Sequence, residues 1–126
     1  MSKALKAYAD SSISTAVSMS NPNELIVLVF EKIFDNLKIG KSAIENNKLA
    51  VEEFTKINDL INIGLVASLN KERGGEIAKN LEFIYLWSMN KINEARLTKS
   101  HEKIDDVVRV LMPIYESWQI LGNSKN

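Results

Sequence analysis

Apolar residues recur at helical spacing in four stretches of the chain, separated by short polar links. After Asn21-Pro22-Asn23-Glu24, the positions Ile26, Phe30, Ile33, Leu37 and Ile44 fall on one helix face. Asn21 can cap this helix, Pro22 suits its first position because an N–H there has no partner anyway, and Glu24 can bond back to the cap. The spacing predicts a first helix to about Asn46, roughly 36 Å long, with Gly40 weakening its middle. A second helix follows Asn46-Asn47, with Ala50, Phe54, Ile57, Ile61, Leu65 and Ser68 on one face. Paired glycines tolerate positive φ, so Gly74-Gly75 predicts the corner into a third helix, with Glu76 in its first turn near the positive dipole end. Ile77, Leu81, Ile84, Ser88 and Ile92 line one side of that helix, which is predicted to end near Leu97. Ser100 is a cap candidate for a fourth helix with the stripe Ile104, Val107, Val108, Leu111, Tyr115, Trp118 and Leu121, closed by Gly122-Asn123. Pro113 lies inside that pattern and is expected to bend or interrupt it. No segment alternates cleanly as a strand would. The expected fold is all-α, an antiparallel four-helix bundle over residues 21–122.

These helices carry more apolar surface than one core requires. Leu25-Ile26-Val27-Leu28-Val29-Phe30 is six successive apolar residues, which cover the whole circumference of a helix. Leu60, Ile63, Val66 and Leu69 add a second face to the second helix, and Phe83, Tyr85, Leu86, Trp87 and Met89 spread around the third. Something else must cover the surplus. Residues 1–20 contain six serines and no sustained period, with Tyr8, Ile13 and Val17 as isolated larger groups. This stretch is expected to be a flexible, loosely docked N-terminal segment. Tyr8 reads either as a surface tyrosine or as an anchor, since an aromatic body with a polar tip suits a partly wet contact.

Composition narrows the function. Sixteen basic residues balance sixteen acidic ones, which argues against a nucleic-acid partner, because that would be met by clustered Lys and Arg. An apolar run of six is far short of the ~20 residues that span a bilayer, and the N-terminus lacks a signal-peptide stretch, so membrane insertion is not expected and the cytoplasm is. With no cysteine, disulfides, thiolate metal sites and catalytic thiols are excluded. His101 is the single histidine, which removes Glu-x-x-His metal pairs and Ser-His or Cys-His nucleophile pairs. A phosphotransfer histidine is the one enzymatic alternative, and its place at a helix start with no following glycine counts against it. Gly74-Gly75 lacks the Gly-Lys-Ser/Thr ending of a phosphate loop. No cofactor and no catalysis are expected.

Gly74-Gly75-Glu76-Ile77-Ala78 with Leu81 and Tyr85 resembles the central signature of FliS, the flagellar secretion chaperone family. Tyr8, Thr15-Ala16, Pro22-x-Glu24-Leu25, Ala43-Ile44-Glu45 and Trp118 follow the family's order and approximate spacing. Phe30 stands where the family commonly has tyrosine, and Pro113 is atypical. The resemblance implies a helical bundle that binds the C-terminal region of flagellin, disordered as a free monomer and helical once wrapped on the chaperone. It further implies protection against premature polymerisation and delivery to the export gate protein FlhA. Grooves between helices would receive the cargo, with Leu25, Leu28, Val29, Leu60, Gly64, Leu65, Ile77, Leu81 and Tyr85 as candidates. Tyr8 and Ile13 are candidates for a displaceable cover and for the gate contact. The alternative from the residues alone is an interaction bundle whose surplus faces close a weak homodimer.

Overall fold

The structure, a computed structural model, describes residues 22–123, among which there are four long helical elements and no strand. Helix α1 spans Pro22–Glu45, and α2 spans Val51–Asp59 and passes directly into a π-helical segment, Leu60–Val66. Helix α3 spans Lys71–Thr98 and α4 spans His101–Asn123. The predicted residues 1–20 and the Asn21 cap lie outside the described residues.

Contacts step in opposite directions along each neighbouring pair, which makes the bundle antiparallel. Between α1 and α4, Lys41 meets Asp105 at 2.7 Å and Glu31 meets Tyr115 at 2.8 Å. Between α1 and the second element, Gly40 faces Phe54 and Val29 faces Gly64. Between α2 and α3, Phe54 meets Arg96 and Asn58 meets Asn93. Between α3 and α4, Glu94 meets Lys103 and Tyr85 meets Trp118.

The core follows the sequence stripes closely on α1, α2 and α4. Phe30, Ile33, Leu37, Phe54, Ile57, Ile61, Leu65, Ile104, Val107 and Leu111 are all buried, each large aliphatic or aromatic side chain contributing about 1.5–3 kcal/mol on leaving water. Phe30 is the hub, with its ring 6.2 Å from Tyr85 on α3 and 6.1 Å from Tyr115 on α4. Gly40 proves to be a seat rather than a weakness. A Cβ there would stand 2.6 Å from Phe54 Cζ, so the bare backbone is what lets α2 close on α1.

Four expectations are corrected. The link between the second and third helices is residues 67–70, so Ser68 is outside any helix and exposed. Helix α3 begins at Lys71, before the glycine pair, because the Asn70 side chain accepts from the Arg73 N–H at 3.0 Å and caps it there. The break at the glycine pair falls where the sequence placed it, with Gly75 at φ 51, ψ −127, backbone angles that favour glycine, but it joins a first helical turn to the rest of α3 as a kink. The inward face of α3 is Ala78, Tyr85, Ser88, Ile92 and Ala95 rather than one starting at Ile77, which is 72% exposed. Of the two outcomes expected at Pro113, a bend or an interruption, the interruption does not occur, since helix α4 continues through it to Asn123. Pro113 and Arg109, whose carbonyl loses its helical N–H partner, are both on the exposed side, where water can satisfy that oxygen.

The π-helical segment adds a feature that periodicity did not indicate. The Ala67 N–H donates to the Asn62 carbonyl at 3.0 Å, one residue further back than in an α-helix. The core takes Leu60, Ile61, Gly64 and Leu65 from this stretch, so Leu60 of the second apolar face joins Ile61 and Leu65 of the first, while Ile63 and Val66 stay half-buried.

Candidate functional site

At the end of the bundle where α1 and α3 begin lies an open apolar groove of about 840 Å³. Leu25 and Ile26 on α1, Leu65 and Leu69 around the end of the π segment, and Ile77 and Leu81 on α3 supply its aliphatic lining. The Gly75 kink sets the first turn of α3 at an angle to the rest, and Arg73 and Gly74 of that turn also line the groove. Arg73 is the only charged side chain in the lining among the described residues.

Tyr85 and Trp118 complete the lining from the core side. Tyr85 is 1% exposed. Burial pushes its phenol up to about 12, with a hydrogen bond from Trp118 working the other way, so at neutral pH it is a polar but uncharged member of an apolar wall. Tyr115, its ring 6.1 Å from that of Phe30, donates to Glu31 Oε2 at 2.8 Å and accepts from Gln119 Nε2 at 2.9 Å. Desolvation first, then the Glu31 hydrogen bond and charge, push Tyr115 up to about 12 as well.

Of the residues singled out in sequence, the structure brings Leu25, Leu65, Ile77, Leu81 and Tyr85 together on this groove. Val29 and Leu60 are fully buried, and Gly64 packs against Val29, where an added Cβ would stand 2.9 Å from Val29 Cγ1. These three shape the groove's support rather than its surface. Leu28 is half-buried against the core and does not line the groove. Tyr8 and Ile13 lie outside the described residues. Ile26, Leu69, Arg73 and Trp118 were not candidates, yet all four line the groove. Ile26 and Trp118 read as core stripe positions, and Leu69 read as part of a second face of the second helix, whereas it sits in the link between that helix and α3.

The groove contains no arrangement for bond chemistry. No cluster of three His, Cys, Asp or Glu suited to a metal occurs among the described residues. His101 is far from the groove in sequence and fold, at the first residue of α4, with Nδ1 4.0 Å from Glu45 Oε2. No helix among the described residues is long and apolar enough to cross a membrane. The fold and the groove define a binding bundle.

Comparison with known proteins places it further. The profile of the family described as "Flagellar protein FliS" matches residues 4–125. The chain is 32% identical over 117 residues to the flagellar secretion chaperone FliS of Salmonella typhimurium, covering 91% of this chain and 87% of that protein. It is 30% identical over 120 residues to FliS of Vibrio cholerae, covering 94% and 88%. It is 32% identical over 118 residues to the flagellar secretion chaperone FliSB of Pseudomonas aeruginosa, covering 92% and 93%. The chain belongs to the FliS family, a family of flagellar secretion chaperones and not of enzymes.

Proposed function

We propose that the groove holds the C-terminal region of flagellin in the cytoplasm, keeps it from premature filament assembly, and presents it for delivery to the export gate protein FlhA. The observation that carries this reading is the groove itself: about 840 Å³ lined by aliphatic side chains with a single cation, in a secretion-chaperone family. Ile77, 72% exposed on the wall of an apolar groove, gains nothing for the isolated bundle and much for a bundle with cargo.

An amphipathic segment that folds on binding suits such a groove, because its apolar anchors at helical spacing enter between helices. Ordering the segment costs conformational entropy, so affinity stays moderate for the area buried and release at an export apparatus is feasible. The bundle supplies shape and desolvation, and no covalent step.

Titration with a C-terminal flagellin peptide from the same organism tests the reading. A 1:1 complex with gained helicity, weakened by Leu81→Ser, supports it. No binding at micromolar concentration, or binding indifferent to Leu81→Ser and Ile77→Ser, removes it.

A further inference from the structure

The other end of the bundle carries a second opening built differently from the groove. Asn47, between α1 and α2, and Lys99, between α3 and α4, both adopt left-handed backbone, with φ 54 and 55. Lys99 Nζ donates to Asn47 Oδ1 at 3.2 Å, which ties the two connections together. Both residues line a cavity of about 580 Å³. On α3 the groove reaches from Arg73 to Tyr85 and the cavity from Asn93 to Leu97, so the two share no lining residue and their nearest edges are eight residues, about 12 Å, apart along the helix.

Its surface combines exposed aliphatic groups with cations. Leu49 is 89% exposed, Leu97 85% and Val51 55%, three large apolar side chains around one cavity rather than scattered singly, a pattern that marks interaction sites. The charged lining is Lys48, Arg96 and Lys99, with no Asp or Glu among the described lining residues. None of the three forms an ion pair with a carboxylate among the described residues. Glu45 and Glu94, on the same helix ends, are turned to His101 and Lys103 instead. Arg96 is held with its guanidinium carbon 5.0 Å from the centroid of the buried Phe54 ring, so less side-chain freedom is lost when it meets an anion. Glu52 and Glu53 follow Val51 in the first turn of α2 but do not line the cavity, so the excess of cations belongs to its lining.

We propose that this distal cavity is a second docking site, which takes an acidic amphipathic segment of a partner protein. Aliphatic side chains of the segment enter beside Leu49, Val51 and Leu97, and its carboxylates meet Arg96, Lys48 and Lys99. Apolar contact supplies the affinity and the three cations select sign and orientation. The site is independent of the groove, so a bundle with its groove occupied still offers it.

A pair of synthetic helical peptides tests this, both with leucines at i, i+3, i+4 and i+7, one flanked by Glu and one by Lys. Full-length protein is titrated with each, with the melting temperature recorded for every variant. The Glu peptide is expected to bind and the Lys peptide to bind at least tenfold more weakly. In the Leu81→Ser background, which weakens the groove, the Glu peptide still binds, and Leu97→Ser or the Arg96→Gln/Lys99→Gln pair weakens it about fivefold to tenfold. Equal binding of the two peptides, no binding of either, or loss of binding through Leu81→Ser alone overturns the proposal. Each of those outcomes leaves the flagellin titration of the groove to be judged separately.

Discussion

Lys71 Nζ lies 2.7 Å from Glu82 Oε2, although the two residues are eleven apart on α3. An unbroken helix would separate them by about 16 Å along its axis, beyond the joint reach of the side chains. The ion pair exists because the chain kinks at Gly75, and it braces the first turn of α3, which lines the groove.

Gly75→Ala is therefore expected to destabilise the bundle by about 1–3 kcal/mol, the range for a side-chain-bearing residue forced into sparsely populated backbone angles. A Cβ there meets nothing within 4 Å, so the loss is one of backbone strain and not of crowding. Urea unfolding reads it, and a D-alanine at 75, which accepts positive φ, should restore most of the stability. An unchanged midpoint for Gly75→Ala would show that the kink relaxes at no cost.

Gly40→Ala acts through the opposite mechanism. Its backbone is helical, so alanine gains about 1 kcal/mol of propensity. Overpacking against the Phe54 ring, 3% exposed, costs about 1–3 kcal/mol. A net loss of up to about 2 kcal/mol is expected, recovered in part by Phe54→Leu in the double variant. A stabilised single variant would show that the ring shifts freely.

Ile77→Ser tests the groove with little effect on folding, because Ile77 is already largely exposed. If its side chain is buried by flagellin, about 1.5–3 kcal/mol of transfer free energy is lost, which weakens the complex roughly tenfold to a hundredfold. Isothermal titration measures this. With Arg73 as the one charged lining residue among those described, wild-type affinity should change only mildly between low and physiological salt.

Tyr85 and Tyr115 make stability sensitive to alkali, beside the Lys41 ammonium that Asp105 holds above its ordinary value. Both tyrosines ionise near 12 in the folded bundle against about 10 in an unfolded chain. Between those values the unfolded chain binds fewer protons than the native one, so stability is intact below pH 10 and falls as pH rises through 12. Chemical denaturation from pH 8 to 12 should show this decline, and Tyr85→Phe should flatten it.

Local pattern by itself determined the four helical stretches, because apolar spacing, the Asn46-Asn47 break and the Thr98-Lys99-Ser100 break are carried by neighbours in sequence. It also disclosed that the apolar surface exceeds one core, and the Gly-Gly-Glu-Ile-Ala signature pointed to the family. Tertiary structure decided how that surplus is divided. Val29, Leu60 and Gly64 go to the core, Leu25 and Ile77 go to the groove, and the π-helical turn that buries the neighbours Leu60 and Ile61 together leaves no mark in periodicity. The glycine pair was legible as a break in regular backbone, but its place inside α3 depended on Asn70 capping the chain one turn earlier. Gly40 shows the same limit, since a glycine's helix cost is local, whereas the ring that needs its bare backbone arrives from another helix.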